Sequence, residues 1–269
     1  MNWPEAVVLG LVQGITEFLP VSSSGHLVLF QNWLQVEGVN GLAYTAVLHF
    51  ATVLAVITYF WSDIWSLMQT GLRKLGRLPV NQKDLTLLYA LIVATIPAAV
   101  AGLVLETVVD RYLSVPWVVA SFLFLSAVFF MYAEWRYYLC PREKELTVKR
   151  GLLIGVFQAV AIIPGVSRSG STIAGGMLLG MTRYESTRFS FLLAVPITLA
   201  AGAKKLLDLL QESGQVDWFM ILVGAGVAYL TAILVIHFFL RFIRRYTLWP
   251  FVWYSMVLSG LVVYVYLFA

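Results

Sequence analysis

The chain has 269 residues, of which 60% are hydrophobic and 12% charged, with a mean hydropathy of +0.84. A soluble domain carries about 25% charged residues; half that share cannot coat a water-exposed globule, and an aromatic content of 14% excludes a disordered or fibrous chain. A single cysteine, Cys140, excludes an internal disulfide or a multi-cysteine metal site, and the net charge of +4 is read as a topology signal with no nucleic-acid partner.

A bilayer-crossing helix needs about 20 mainly apolar residues. The N-terminal MNWPEAVVLG has neither a basic n-region nor a following cleavage site, so it is read as part of the mature fold. Residues 4–34 run apolar, break at Leu19-Pro20-Val21-Ser22-Ser23-Ser24-Gly25-His26, and resume. Spans are predicted at 43–61, 86–105 and 116–135. Residues 151–181 repeat the broken pattern around Pro164-Gly165-Val166-Ser167-Arg168-Ser169-Gly170-Ser171-Thr172, and further spans are predicted at 188–203, 218–240 and 249–268. Each half of a broken stretch is too short to cross alone. The two stretches are therefore read as re-entrant helical hairpins, whose irregular turns are acceptable at membrane depth only where protein or a wet cavity surrounds them. The expected fold class is an all-α polytopic membrane protein with six spans and two such hairpins.

Assigning loops alternately to the two sides places fourteen Lys and Arg residues on one side and three on the other, leaving Arg168 at membrane depth. By the positive-inside rule, loops 62–85 and 136–150 are cytoplasmic, 106–115 and 204–217 face outward, and both termini lie outside. Gly10-x-x-Gln13 and Ser22-x-Ser24-Gly25 align without a gap onto Gly155-x-x-Gln158 and Ser167-x-Ser169-Gly170, and Leu54-Ala55-Val56 echoes Leu193-Ala194-Val195. The chain thus reads as one membrane domain, 1–269, with a first repeat at 1–135 and a second, inverted one at 150–269. Inverted repeats bring such hairpins together near the midplane, where binding sites form.

Both turns place Ser and Gly at a helix start, where free N–H groups and the positive end of the dipole suit anions. Ser22, Ser23, Ser24, Ser167, Ser169 and Ser171 add hydroxyls, and Arg168 adds a planar cationic fork that fits phosphate oxygens. The plainer alternative is that single serines only cap helices. Gln13 and Glu17 lie one helical turn apart and share a face. An intramembrane carboxylate is functional by default, the alternative being a structural ion pair with Arg168. His26 sits beside the serines and is read as an acid–base group, the alternative being a hydrogen-bonded structural imidazole, whereas His49, on a span that can pack near the site, is read as structural. Glu134 is placed with the interfacial aromatics Trp135, Tyr137 and Tyr138. The ensemble is an anion pocket at membrane depth, suited to a phosphate-bearing lipid whose tail stays in the bilayer.

At these residues the sequence resembles the undecaprenyl-diphosphate phosphatases, also called the bacitracin-resistance family. Gln13-x-x-x-Glu17 with Phe18-Leu19-Pro20-Val21-Ser22-Ser23-Ser24-Gly25-His26 resembles the family's first signature, and Pro164 to Thr172 its second, PGxSRSxxT. Phe189-Ser190-Phe191-Leu192-Leu193-Ala194-Val195-Pro196 is similar as well. The first motif begins with Glu or Gln, and Gln13 here leaves Glu17 as the only carboxylate of the pair. The resemblance implies a multi-pass enzyme of the bacterial inner membrane that hydrolyses undecaprenyl diphosphate to the monophosphate and inorganic phosphate. That reaction recycles the lipid carrier of peptidoglycan synthesis and confers bacitracin resistance.

The expected roles follow by matching motifs. Ser23 is the nucleophile, His26 the general base or acid, and Arg168 the phosphoryl clamp; Glu17 orients a reacting group or binds a divalent ion shared with the diphosphate. Gln13, Ser22, Ser24, Gly25, Ser167, Ser169, Gly170 and Thr172 bind substrate. A divalent cation, Mg2+ or Ca2+, is admitted and no organic cofactor is expected. The expected partners are undecaprenyl diphosphate and membrane lipid, with a homodimer left open and the site opening on the periplasmic side. The rival reading is a transporter or flippase of undecaprenyl phosphate using the same pocket.

Overall fold

The sequence opens with its own helix start. The Asn2 side chain accepts the Glu5 N–H at 3.1 Å while the Glu5 carboxylate accepts the Asn2 N–H at 2.8 Å, a reciprocal cap that begins α1 (Trp3–Thr16) with Pro4 in its first turn. The computed structural model describes residues 2–36, 38–108, 115–140, 143–211 and 217–268. After α1 come α2 (Ser23–Leu34), α3 (Gly38–Tyr59), α4 (Trp61–Leu75), α5 (Gln82–Val108), α6 (Pro116–Leu139), α7 (Val148–Val160), α8 (Arg168–Leu178), α9 (Arg183–Gln211), α10 (Trp218–Ile243) and α11 (Trp249–Phe268). The described residues contain no strand.

Five of these helices, α5, α6, α9, α10 and α11, are long and apolar enough to cross a bilayer, and α3 with α4 makes a sixth if the bent pair is counted as one. The predicted spans therefore fall on α3, α5, α6, α9, α10 and α11, and the two broken stretches become the pairs α1–α2 and α7–α8. Two expectations are corrected. The span drawn to residue 61 ends at Tyr59, and the supposed loop 62–85 contains α4, bent by 82° from α3. Trp61, Trp65, Met68, Leu72 and Leu75 form one exposed apolar stripe along α4, while Arg188 of α9 pairs with its Asp63 and Ser66 donates to Asp84 at 2.9 Å. Of the expected outward loops, residues 109–114 and 212–216 lie outside the described residues, as do Arg111 and Arg142.

Close packing rests on small residues, the usual device where lipid removes any hydrophobic drive between helices. On α1, Gly10 meets Gly224 and Gly14 meets Ala228 of α10; on α7, Gly151 meets Ala90 and Gly155 meets Ala94 of α5. A Cβ on Gly155 would lie 2.3 Å from the Ala94 carbonyl oxygen, so the α7–α5 approach requires glycine there. Helix α3 packs on α9 and α10, and α6 on α8 and α11. Phe18, just beyond α1, meets Phe191 of α9 edge-to-face at 5.1 Å and fixes the first turn against the core.

Glu134 does not face outward with the neighbouring aromatics but is buried in the protein. It is 2% exposed and accepts from Arg183 Nε at 3.0 Å, Arg183 Nη2 at 2.6 Å and the Leu248 N–H at 2.7 Å. One carboxylate thereby ties α6 to the start of α9 and to the α10–α11 connection. The Arg183 guanidinium also lies 4.3 Å above the Tyr137 ring.

Candidate active site

Each turn is capped by its own serine. Ser22 Oγ accepts the Gly25 N–H at 3.4 Å at the start of α2, and Ser167 Oγ accepts the Gly170 N–H at 3.1 Å at the start of α8. The capping reading is thus realised for these two, and it orients both helix N-termini. Ser22 sits at φ +66°, a conformation that costs a side-chain-bearing residue about 1–3 kcal/mol. In the second turn Gly165 sits at φ +93° with the Val119 carbonyl oxygen 2.2 Å from where a Cβ would be, so only glycine fits. Val119 of α6 also faces Gly25, placing both turns against the same residue.

The turns touch each other directly. Ser169 Oγ donates to the Leu19 carbonyl at 3.0 Å, and Arg168 Nη2 donates to Glu17 Oε1. Glu17, 6% exposed, is the hub. Its Oε2 accepts from Ser23 Oγ at 2.7 Å and from Gln13 Nε2 at 2.9 Å, and His49 Nε2 of α3 lies 3.7 Å away. The carboxylate therefore bridges the first helical residue of α2 and the first helical residue of α8, positions that the internal alignment makes equivalent. Gln13 Oε1 is buried and has no partner among the described residues, leaving one acceptor beside the hub.

His26 is arranged differently from the acid–base expectation. Its Nδ1 meets the Ser22 carbonyl at 2.8 Å, so Nδ1 carries the hydrogen, and its Nε2 meets the Tyr254 hydroxyl of α11 at 2.7 Å, which donates to it. Both ring nitrogens are engaged, and the ring stacks on Tyr254 with centroids 5.7 Å apart. His26 thereby braces the strained Ser22 peptide from α11. Ser24 is exposed and shares a 3.3 Å contact with Ser22; Ser169 shares one of 3.2 Å with Ser167. Gly170 packs under the Phe130 ring. Thr172 uses its hydroxyl within α8 and against Ser190 of α9 at 2.6 Å, facing the helix interface.

The structure thus groups Gln13, Glu17, Ser23 and Arg168 with both serine-capped helix starts, while His26 bonds to Ser22 and Tyr254. His49, read from the sequence as structural, lies beside Glu17, and Tyr254, to which the sequence offered no role, bonds to His26. The donor set does not fit a protein-held divalent cation: Glu17 already faces a guanidinium, a hydroxyl and an amide, and among the described residues no three His, Cys, Asp or Glu side chains group to hold a metal. What the cluster offers is a polarised hydroxyl beside a guanidinium and two serine-capped helix starts.

Comparison with known proteins gives the same direction. The family described as Bacitracin resistance protein BacA matches residues 6–261. An undecaprenyl-diphosphatase of Micrococcus luteus is 41% identical over 97% of this chain and 95% of its own length. One of Idiomarina loihiensis is 41% identical over 96% and 97%, and undecaprenyl-diphosphatase 1 of Pseudoalteromonas translucida is 38% identical over 98% and 99%.

Proposed function

The chain belongs to the Bacitracin resistance protein BacA family, and from that premise we propose how its two turns carry out the reaction for which its relatives are named. It is a multi-pass membrane hydrolase that converts undecaprenyl diphosphate into undecaprenyl phosphate and inorganic phosphate, returning the lipid carrier to peptidoglycan synthesis and conferring bacitracin resistance.

The observation that carries the mechanism is the 2.7 Å bond from Ser23 Oγ to Glu17, itself paired with Arg168. Phosphoryl transfer needs mainly positioning and charge stabilisation. The terminal phosphoryl group lies over the two helix N-termini, with Arg168 turning its fork from Glu17 to the phosphoryl oxygens. Ser23 Oγ attacks phosphorus in line as Glu17 takes its proton, the bond to the bridging oxygen breaks, and Glu17 passes that proton to the oxygen of the departing undecaprenyl phosphate. Water then attacks the phosphoserine as Glu17, again ionised, takes its proton; the Ser23 O–P bond breaks, Glu17 returns the proton to Ser23 Oγ, and inorganic phosphate leaves. The proton acceptor in this reading is Glu17 in place of His26, because Ser23 Oγ donates to Glu17 while the His26 ring meets the Ser22 carbonyl and the Tyr254 hydroxyl. Gln13 positions the reacting water through its unpartnered Oε1. Mg2+ or Ca2+ enters only as a counter-ion brought by the diphosphate, and no step runs through it.

The same proposal includes the membrane arrangement. Pairs α1–α2 and α7–α8 are re-entrant hairpins entering from opposite sides, within inverted repeats 1–135 and 150–269. Support comes from the matched contacts of α1 with α10 and α7 with α5, both made through glycines spaced one turn apart. The α4 stripe and its bend suit a helix lying in the cytoplasmic interface. The site then opens to the periplasmic side. Release of inorganic phosphate from a purified polyprenyl diphosphate tests the reading. Wild type should turn over, and Glu17→Gln should bind the lipid yet lose activity by about 10²-fold or more. Transport of undecaprenyl phosphate across vesicles without any phosphate release would favour the flippase instead.

A further inference from the structure

His49 faces the same carboxylate as Arg168, at its other oxygen. Its Nδ1 lies 2.8 Å from the Thr45 carbonyl, an acceptor only, so Nδ1 carries a hydrogen and α3 tethers the ring. Nε2 is left 3.7 Å from Glu17 Oε2, while Arg168 holds Oε1. A bare Nε2 would set its lone pair against those of the carboxylate; a second ring hydrogen turns the same contact into an attraction. Among the described residues, Arg168 and His49 are the two basic side chains that pair with Glu17. On the helices around α3, Tyr229 and His237 of α10 and Arg188 of α9 bond elsewhere, to Thr58, Tyr59 and Asp63.

We propose that His49 is a positioning residue that holds Glu17 once Arg168 has turned to the phosphoryl oxygens, an assignment that rests on the hydrolase reading above. Glu17 is 6% exposed, and a buried carboxylate stripped of its cation is costly. With Arg168 drawn away, Ser23 and Gln13 supply only neutral donors. The imidazolium form of His49 supplies the missing charge, and closing by about 1 Å brings its Nε2–H to bonding distance of Oε2. Because the two cations use different carboxylate oxygens, one can arrive before the other departs. The exchange lets the guanidinium leave Glu17 for substrate, and it keeps the carboxylate aimed at Ser23 while the phosphoryl group is bound.

Binding of a farnesyl methylenebisphosphonate, whose P–C–P bridge resists hydrolysis, to the full-length protein in detergent tests the handover. His49→Gln keeps a hydrogen-bond donor but cannot carry charge. It should raise the Kd by about tenfold or more, the scale of one hydrogen bond to a charged group. In a Glu17→Gln background, where no anion needs a partner, the same change should shift Kd by less than about twofold. A merely structural His49 would weaken binding equally in both backgrounds; that result, or wild-type affinity in His49→Gln, overturns the proposal. A second measurement keeps the wild-type chain, which has three histidines. Nitrogen-15 NMR with the bisphosphonate bound should show both His49 ring nitrogens carrying hydrogen. A bare Nε2 in that complex overturns the proposal, and this measurement decides alone if His49→Gln does not fold. Failure of wild type to release phosphate from any polyprenyl diphosphate would instead defeat the hydrolase reading, and the binding cycle would still report on His49.

Discussion

Arg168 and Glu17 meet across the two turns, and the pairing decides how each residue behaves when changed. Arg168→Lys keeps the charge but loses the planar fork that spans two phosphoryl oxygens. Phosphate-release kinetics should fall by about 10²-fold or more, as for loss of a donor to a developing charge; near-normal turnover would make Arg168 a mere counter-ion to Glu17. Both residues were legible in the sequence, because an isolated charge in an apolar stretch has few inexpensive places to go. The capping serines were legible too, since Ser-x-x-Gly at a break marks a helix start. Tyr254 was not: it is a single residue on an otherwise apolar span, brought to His26 by packing of α11, and no local spacing announces that. His49 was legible as a polar residue able to pack near the site, and α3 brings it to Glu17. His26 was found as a neighbour of the serines but its partners were invisible, so its acid–base expectation rested on company alone.

At the scale of elements, hydropathy located the five long apolar helices, the apolar α3 and both broken stretches, because long apolar runs and their breaks are local features. Helix α4 escaped because its apolar residues are diluted by Ser62, Asp63, Gln69, Arg73 and Lys74. The signal was present as a 3.6-residue period at 61, 65, 68, 72 and 75, which a search for 20-residue apolar windows does not weigh. Glu134 was misplaced for a related reason: among Trp135, Tyr137 and Tyr138 it looked like interface, whereas Arg183 and the Leu248 N–H draw it inward. Glu134→Ala strands a largely buried guanidinium and an amide, which should cost about 3 kcal/mol. Thermal unfolding in detergent, followed by tryptophan fluorescence, should show a lower midpoint with the active-site chemistry intact in the folded fraction. An unchanged midpoint would show that the triad contributes nothing to holding α6, α9 and α11 together.

For the whole molecule, the charge bias and internal repeat together predict which loops face the cytoplasm. On a Cys140→Ser background, Lys144→Cys should resist an impermeant thiol reagent added to sealed cells, and Ser213→Cys should react; the reverse pattern would invert the orientation. The two turns each contribute one serine-capped helix start to a single cluster, one bringing the hydroxyl and the other the guanidinium. The central claim is that this cluster transfers phosphate first to Ser23 and then to water. Rapid-quench analysis with a polyprenyl diphosphate labelled in its terminal phosphate tests that claim most directly. The account predicts label on a Ser23 peptide during the first turnover, absent from Ser23→Ala, which should also be nearly inactive. Full turnover with no label on protein, or appreciable activity in Ser23→Ala, would place the attack with water and leave Ser23 as a hydrogen-bond donor.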